Sequence, residues 1–209
     1  MLKQSINLRN SLLALVTLIT ISCNSNNKTP KKVSDHNFPI PKGWQSESIK
    51  FPIDFAPQIP YTGIEELRFA PGWEFTSNEE HWCYSFLWWL SGNPKIDQDI
   101  LKENLTGYYN GLVARNIRKR AIPASKVIPV VAALKKIEPA TGDIETYSGT
   151  ITITDYLDIM FNPVTLYCFV HKINCSGHTA LIFEISPKPF EHQIWHQLNK
   201  LIADFKCEN

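Results

Sequence analysis

The ten residues His81–Leu90 read HWCYSFLWWL, and no other segment says as much about the architecture. Successive side chains of a strand point to opposite faces of a sheet. Trp82, Tyr84, Phe86, Trp88 and Leu90 therefore share one face, and His81, Cys83, Ser85, Leu87 and Trp89 share the other. Bulk on one side with a mixed second side predicts a central strand. Ser91-Gly92-Asn93-Pro94 ends it. Upstream, Glu65–Phe69 and Trp73–Phe75 flank Ala70-Pro71-Gly72, a Pro-Gly pair suited to the centre of a type II turn. Residues 44–62 hold Pro52, Pro57 and Pro60 and read as an extended wrapping segment.

Downstream the period changes. Ile100 or Leu101, Leu105, Tyr108, Tyr109, Leu112 and Val113 recur at three and four, with Asp97 placed to cap the start. This predicts an amphipathic helix over 98–117. Val127–Leu134 reads as a strand that Pro129 moves to an edge or a bulge. Tyr147–Phe161 alternates, with Ile151, Ile153, Leu157 and Ile159 inward and Thr150, Thr152 and Thr154 outward. Asn162-Pro163 turns the chain, and Thr165–Ile173 and His178–Ser186 form a hairpin around Asn174–Gly177. A last helix over 190–206 carries Ile194, Leu198, Leu201 and Phe205 on one stripe. The order β-β-α-β-β-β-β-α implies an α+β class: an antiparallel sheet with two main helices packed on it. That order resembles the PsbP/Mog1-type α+β fold. The resemblance implies a binding or assembly factor more than an enzyme, although fold alone does not set function.

The N-terminus is a separate matter. Lys3 and Arg9 precede the apolar run Ser11–Ile21, and no acidic residue occurs before Asp35. The run is shorter than the ~20 residues a spanning helix needs, and has signal-peptide proportions. It closes in Thr20-Ile21-Ser22-Cys23, which resembles the lipobox of bacterial lipoproteins, with Thr20 where leucine is usual. The resemblance implies cleavage after Ser22, a thioether-linked diacylglycerol on Cys23 and acylation of its amino group. It further implies a lipid-anchored protein of the bacterial cell envelope facing the periplasm. The expected division is a signal peptide at 1–22, a flexible tether at 23–42 and a single domain at 43–209. Without Lys3 and Arg9 the chain keeps 19 basic against 20 acidic side chains, a balance that argues against nucleic acid as a partner. The basic cluster Arg115, Arg118, Lys119 and Arg120 falls at a helix end, where cations oppose the negative end of the dipole.

Few residues point to chemistry. Glu79-Glu80-His81 puts two carboxylates and an imidazole at a loop-to-strand junction, an acid/base possibility. Asp155 interrupts the inward face of its strand and is expected either to turn outward on a bulge or to sit in a pocket. His81, Glu80 and Asp155 are thus the catalytic candidates for a hydrolase. No phosphate loop, dinucleotide fingerprint or nucleophile motif accompanies them. His192 and His196 stand at i and i+4, but opposite the apolar stripe and without a third ligand. His171 and His178 sit on facing hairpin strands near Cys175, a spacing unspecific for metal. No metal and no cofactor is expected. Of the tryptophans, Trp89 on the mixed face and Trp73 are the candidates for a ligand or partner patch. The leading expectation is a non-catalytic domain that binds a protein or a small apolar ligand.

Four cysteines follow Cys23, at 83, 168, 175 and 207, and export permits disulfides. A strand over 178–186 carries the chain about 30 Å from the hairpin tip. A final helix of about 25 Å brings it back. Cys207 is then expected to meet Cys175, leaving Cys83 and Cys168 as buried thiols or a second bridge.

Overall fold

A computed structural model describes residues 35–208. The segment expected to be a signal peptide, Cys23 and the expected tether as far as Ser34 lie outside the described residues, as does Asn209. In chain order the elements are β1 (His36–Asn37), β2 (Gln45–Lys50), β3 (Gly63–Phe69), β4 (Tyr84–Ser91), α1 (Gln98–Lys119), β5 (Val131–Ile137), β6 (Glu145–Thr154), β7 (Pro163–Cys175), β8 (His178–Ser186), α2 (Ile194–Asp204) and β9 (Lys206–Cys207). The class is α+β. Seven strands form one antiparallel sheet in the order β2-β3-β4-β8-β7-β6-β5. A two-stranded ribbon pairs β1 with β9.

Strand β4 lies inside the sheet between β3 and β8, and it is buried from Tyr84 to Leu90. Its even-numbered aromatics pack against Leu101, Leu105, Tyr108, Tyr109 and Val113 of α1. Its odd-numbered residues meet the other helix: Leu87 and Trp89 cluster with Leu201 and Phe205, while Cys83 clusters with Ile194, Trp195 and Leu198. The two helices therefore cover opposite faces and the domain has three layers. The mixed face of β4 is buried for this reason. Its buried hydroxyl, Ser85 Oγ, is satisfied by donating to Phe183 O at 2.7 Å.

Helix α1 begins where the cap was expected, with the Asp97 carboxylate accepting from the Asp99 and Ile100 N–H groups at 3.0 Å. It ends at Arg120, followed by Ala121 with φ 51°. Gly111 lets the helix lie directly against the preceding segment, because a Cβ there would run into the Phe55 carbonyl oxygen. That contact sets Phe55 against Tyr108, ring centroids 5.0 Å apart.

Several boundaries differ from those expected. Residues 45–50 form the edge strand β2, whose sequence QSESIK is polar because nearly all of it is exposed. The turn at Ala70–Trp73 is closed by Trp73 N–H donating to Ala70 O at 3.0 Å. Gly72 there lacks the positive φ of a type II turn, and Trp73–Phe75 continues to turn instead of forming a strand. The long strand stops at Thr154, where Asp155 caps a loop, so Leu157 and Ile159 lie beyond it and Ile159 is exposed. Strand β5 starts at Val131, after Pro129, at the sheet edge.

Part of the segment expected as a tether, from His36 on, is packed on the domain. His36 and Phe38 are buried, because β1 pairs with β9 and Arg68 grips the following residues. Arg68 donates to Phe38 O at 2.7 Å and Pro39 O at 3.0 Å, and its guanidinium lies 4.5 Å from the centre of the Phe38 ring. A buried guanidinium needs such acceptors, and it orders the strap that supplies them.

Cys175 and Cys207 are joined, with Cα atoms 5.6 Å apart, which ties β9 to the tip of the β7–β8 hairpin. Cys83 and Cys168 are free and buried. They belong to cores on opposite faces of the sheet, so they do not bridge.

Candidate functional site

Two of the three catalytic candidates meet. His81 Nε2 lies 3.0 Å from Asp155 Oδ2. A carboxylate only accepts, so Nε2 donates to it. Asp155 neither turns outward on a bulge nor faces a pocket unpartnered. Its Oδ1 accepts from Trp82 Nε1 at 2.9 Å, Leu157 N at 2.9 Å and Asp158 N at 3.1 Å. Burial works against this carboxylate, but the His81, Trp82 and Leu157 hydrogen bonds outweigh it and hold its pKa below the usual value. The group is a cap for the 155–162 loop and a clamp on the start of the central strand. Glu80 goes elsewhere, accepting from Gly72 N at 2.7 Å. His81 Nδ1 is buried without a hydrogen-bond partner, so no hydroxyl or thiol among the described residues is poised on it.

The same clamp builds a cavity. Trp82 adopts φ 55°, a conformation that costs a bulky residue on the order of 1–3 kcal/mol. Its indole is held by Asp155, and its backbone N–H donates to Trp73 O at 2.8 Å. Trp73, Trp82, Phe69, Tyr84 and Tyr156 then form one wall of a cavity of about 510 Å³. Tyr108, Leu112, Arg115, Asn116, Lys119 and Arg120 of α1 form another, and Gln45, Ser46, Glu47 and Ile49 of β2 close the side. Its size lies within the ~300–1,000 Å³ of small-molecule sites, and its lining combines aromatic rings with charged and polar side chains in similar measure. His81 and Asp155 support the aromatic wall from behind and do not line the cavity.

The charges at the rim are uneven. Arg115 pairs with Asp54 at 3.0 Å, both exposed. Lys119 and Arg120 are in no ion pair among the described residues. The Arg120 guanidinium stands 5.9 Å from the Tyr156 ring centre. Below the cavity, Tyr84 and Tyr109 share a short hydroxyl–hydroxyl hydrogen bond. Beside Tyr108, Glu65 is wholly buried, accepts from Trp88 Nε1 at 2.9 Å and leaves Oε2 without a partner. Burial pushes its carboxyl up to about 7.

The two tryptophan candidates separate. Trp73 is half-buried on the cavity wall. Trp89 is only 5% exposed, because His36 and His178 stack on its two neighbouring sides at 4.2 and 4.6 Å. It is therefore not available as a surface patch. His171 faces Ile182 across the hairpin while His178 faces Cys175, so the two histidines are not cross-strand neighbours. His171 instead bridges two carboxylates, Asp143 at 2.8 Å and Glu184 at 3.3 Å. Burial opposes its protonation, but both carboxylates favour it and raise its pKa to about 9. His192 reaches Glu79 at 3.2 Å and His196 is exposed. No group of three or more His, Cys, Asp or Glu side chains among the described residues is placed to hold a metal ion.

Most of the cavity was not evident as a site in the sequence. The helix face Tyr108, Leu112, Arg115, Lys119 advances by four, three and four, so its basic members continue an apolar stripe. That continuity was the available signal. No protein-family model matches the chain, and no curated protein matches it.

Proposed function

We infer that this is an exported, lipid-anchored protein whose domain binds a small apolar ligand without catalysing a reaction. The cavity carries the reading: an aromatic-walled space of about 510 Å³ whose wall is fixed by a dedicated clamp of Asp155, Trp82 and His81. A concave, solvent-open space walled by aromatic rings is the form that small-molecule sites usually take. The membrane anchor rests on the lipobox-like Thr20–Cys23 and the preceding apolar run. Acyl chains on Cys23 would hold the domain near a bilayer, where apolar ligands concentrate.

Two measurements test this. Full-length protein made in a bacterial host should carry the mass of a diacylglyceryl group that Cys23→Ser abolishes; an unmodified Cys23 rejects the anchor. The neutral fluorophore N-phenyl-1-naphthylamine should bind saturably and quench tryptophan emission. The cavity-filling Leu112→Trp should abolish that binding while leaving the thermal midpoint within a few degrees. Equal binding by Leu112→Trp would reject the cavity as the site.

A further inference from the structure

The walls and rim of the cavity restrict what it would hold. Phe69 and Trp73 lie 4.5 Å apart, tilted by 32°. Trp73 meets Trp82 at 80° and 6.5 Å, and Trp82 meets Tyr156 at 78° and 4.9 Å. The Trp73–Trp82 and Trp82–Tyr156 pairs stand nearly at right angles and form corners. A flat ring seated in such a corner stacks on one face and presents its edge to the next, which aromatic quadrupoles favour. A flexible aliphatic chain gains no comparable orientation from them.

The charge pattern gives the ligand a direction. Lys119 and Arg120 come from the C-terminal end of α1 and carry no counter-ion among the described residues. The helix's own C-terminal carbonyls amount to roughly half a negative charge, less than the two full cations above them. Arg115 is already occupied by Asp54. Glu47 on β2 and Glu74 in the turn also line the cavity and are likewise in no ion pair among the described residues. They would repel an anion from their side and leave the α1 end as its place.

We propose that the cavity takes a flat, apolar anion, with its ring system against Phe69, Trp73 and Trp82 and its acidic group met by Lys119 and Arg120. This rests on the ligand-binding reading above and adds charge and shape to it. The acidic group is a carboxylate, sulfonate or phosphate, since guanidinium and ammonium donors accept all three.

The test is isothermal titration calorimetry of the full chain with 2-naphthoate and with 2-naphthylmethanol, which has the same ring system and no charge. Naphthoate is expected to bind about tenfold more tightly at low salt, the scale of one charge-assisted hydrogen bond. The preference should shrink at 0.5 M salt (roughly several Debye-screened ångströms of reach remain there). Lys119→Gln/Arg120→Gln should bring the naphthoate affinity down to that of naphthylmethanol in the same variant, and Glu47→Gln/Glu74→Gln should enlarge the preference. Equal affinities for the two probes, or a preference that survives Lys119→Gln/Arg120→Gln, would overturn the anion assignment while leaving the apolar cavity standing. Failure of both probes to bind would overturn the cavity reading together with it.

Discussion

Replacing Glu65 by Gln should make the protein more stable above neutral pH and change almost nothing near pH 4.5. Glu65 is enclosed by Trp88, Tyr108 and the sheet, with one oxygen bonded to the indole N–H and the other unpartnered. Burial raises its pKa from 4.5 to about 7. The folded state thus binds the proton more tightly than the unfolded state. The stabilisation is complete below pH 4.5, declines by about 1.4 kcal/mol per pH unit, and is gone once the pH passes 7. Over that window the loss is about 3 kcal/mol. Gln keeps an acceptor for Trp88 Nε1 and never ionises, so the variant should lack this loss. At pH 8 it should exceed the wild type by up to about 3 kcal/mol, worth very roughly 10 °C in thermal midpoint for a domain of this size. Urea denaturation of both proteins at pH 5, 6, 7 and 8 measures it, and any other titrating group cancels in the difference. A stability difference independent of pH, or a variant weaker by the same amount throughout, would refute the account of Glu65 as a buried, protonated acid.

The remaining expectations concern the supports around the cavity and the strap. His171, raised to about 9 between Asp143 and Glu184, contributes stability below pH 6.5 that is lost as pH rises through 9. His171→Gln should flatten that alkaline slope in urea melts between pH 6.5 and 9.5, a change on the order of 2–3 kcal/mol. Asp155→Ala removes the acceptor for four donors and should cost about 2–4 kcal/mol, seen as a lowered denaturation midpoint with Trp82 emission shifted to the red. Cys207→Ser opens a loop of 32 residues' separation, for which chain entropy predicts a loss of about 3–4 kcal/mol; intact mass before and after reduction should differ by two hydrogens only in the parent. Gly111→Ala should destabilise by at least about 2 kcal/mol, because its Cβ meets the Phe55 carbonyl, and chemical denaturation will report it.

How far the sequence announces this structure depends on the range of the interaction concerned. Strand β8 and helix α1 are legible because their patterns are local: an apolar run between two turns in one case, Asp97 and a three-four repeat in the other. The Cys175–Cys207 pairing is legible because strand and helix rises fix how far the chain travels and returns. What escapes is set by neighbours distant in sequence. Polar β2 is a strand only because β3 offers it an open edge. His36 and Phe38 are folded only because Arg68, Trp89 and β9 meet them. Part of the segment expected as a tether is packed on the domain for that reason, and Trp89 loses its exposure with it.

The candidate site shows the same division at finer grain, and with a useful asymmetry. Asp155 stands out in the sequence as a carboxylate at an apolar position, and the inference that it must have partners is sound physics. A saturated carboxylate and a reactive one look alike at that level, since both violate the apolar pattern. The partners discriminate between them. Asp155 accepts from Trp82, Leu157 and Asp158 besides His81, which fixes a shape. The shape it fixes is the position of Trp82, and Trp82 is a wall of the cavity. A residue singled out for chemistry thus matters by positioning an aromatic ring. The residues that would touch a ligand are ones whose pattern reads as ordinary helix surface and core: Tyr108, Leu112, Lys119 and Arg120.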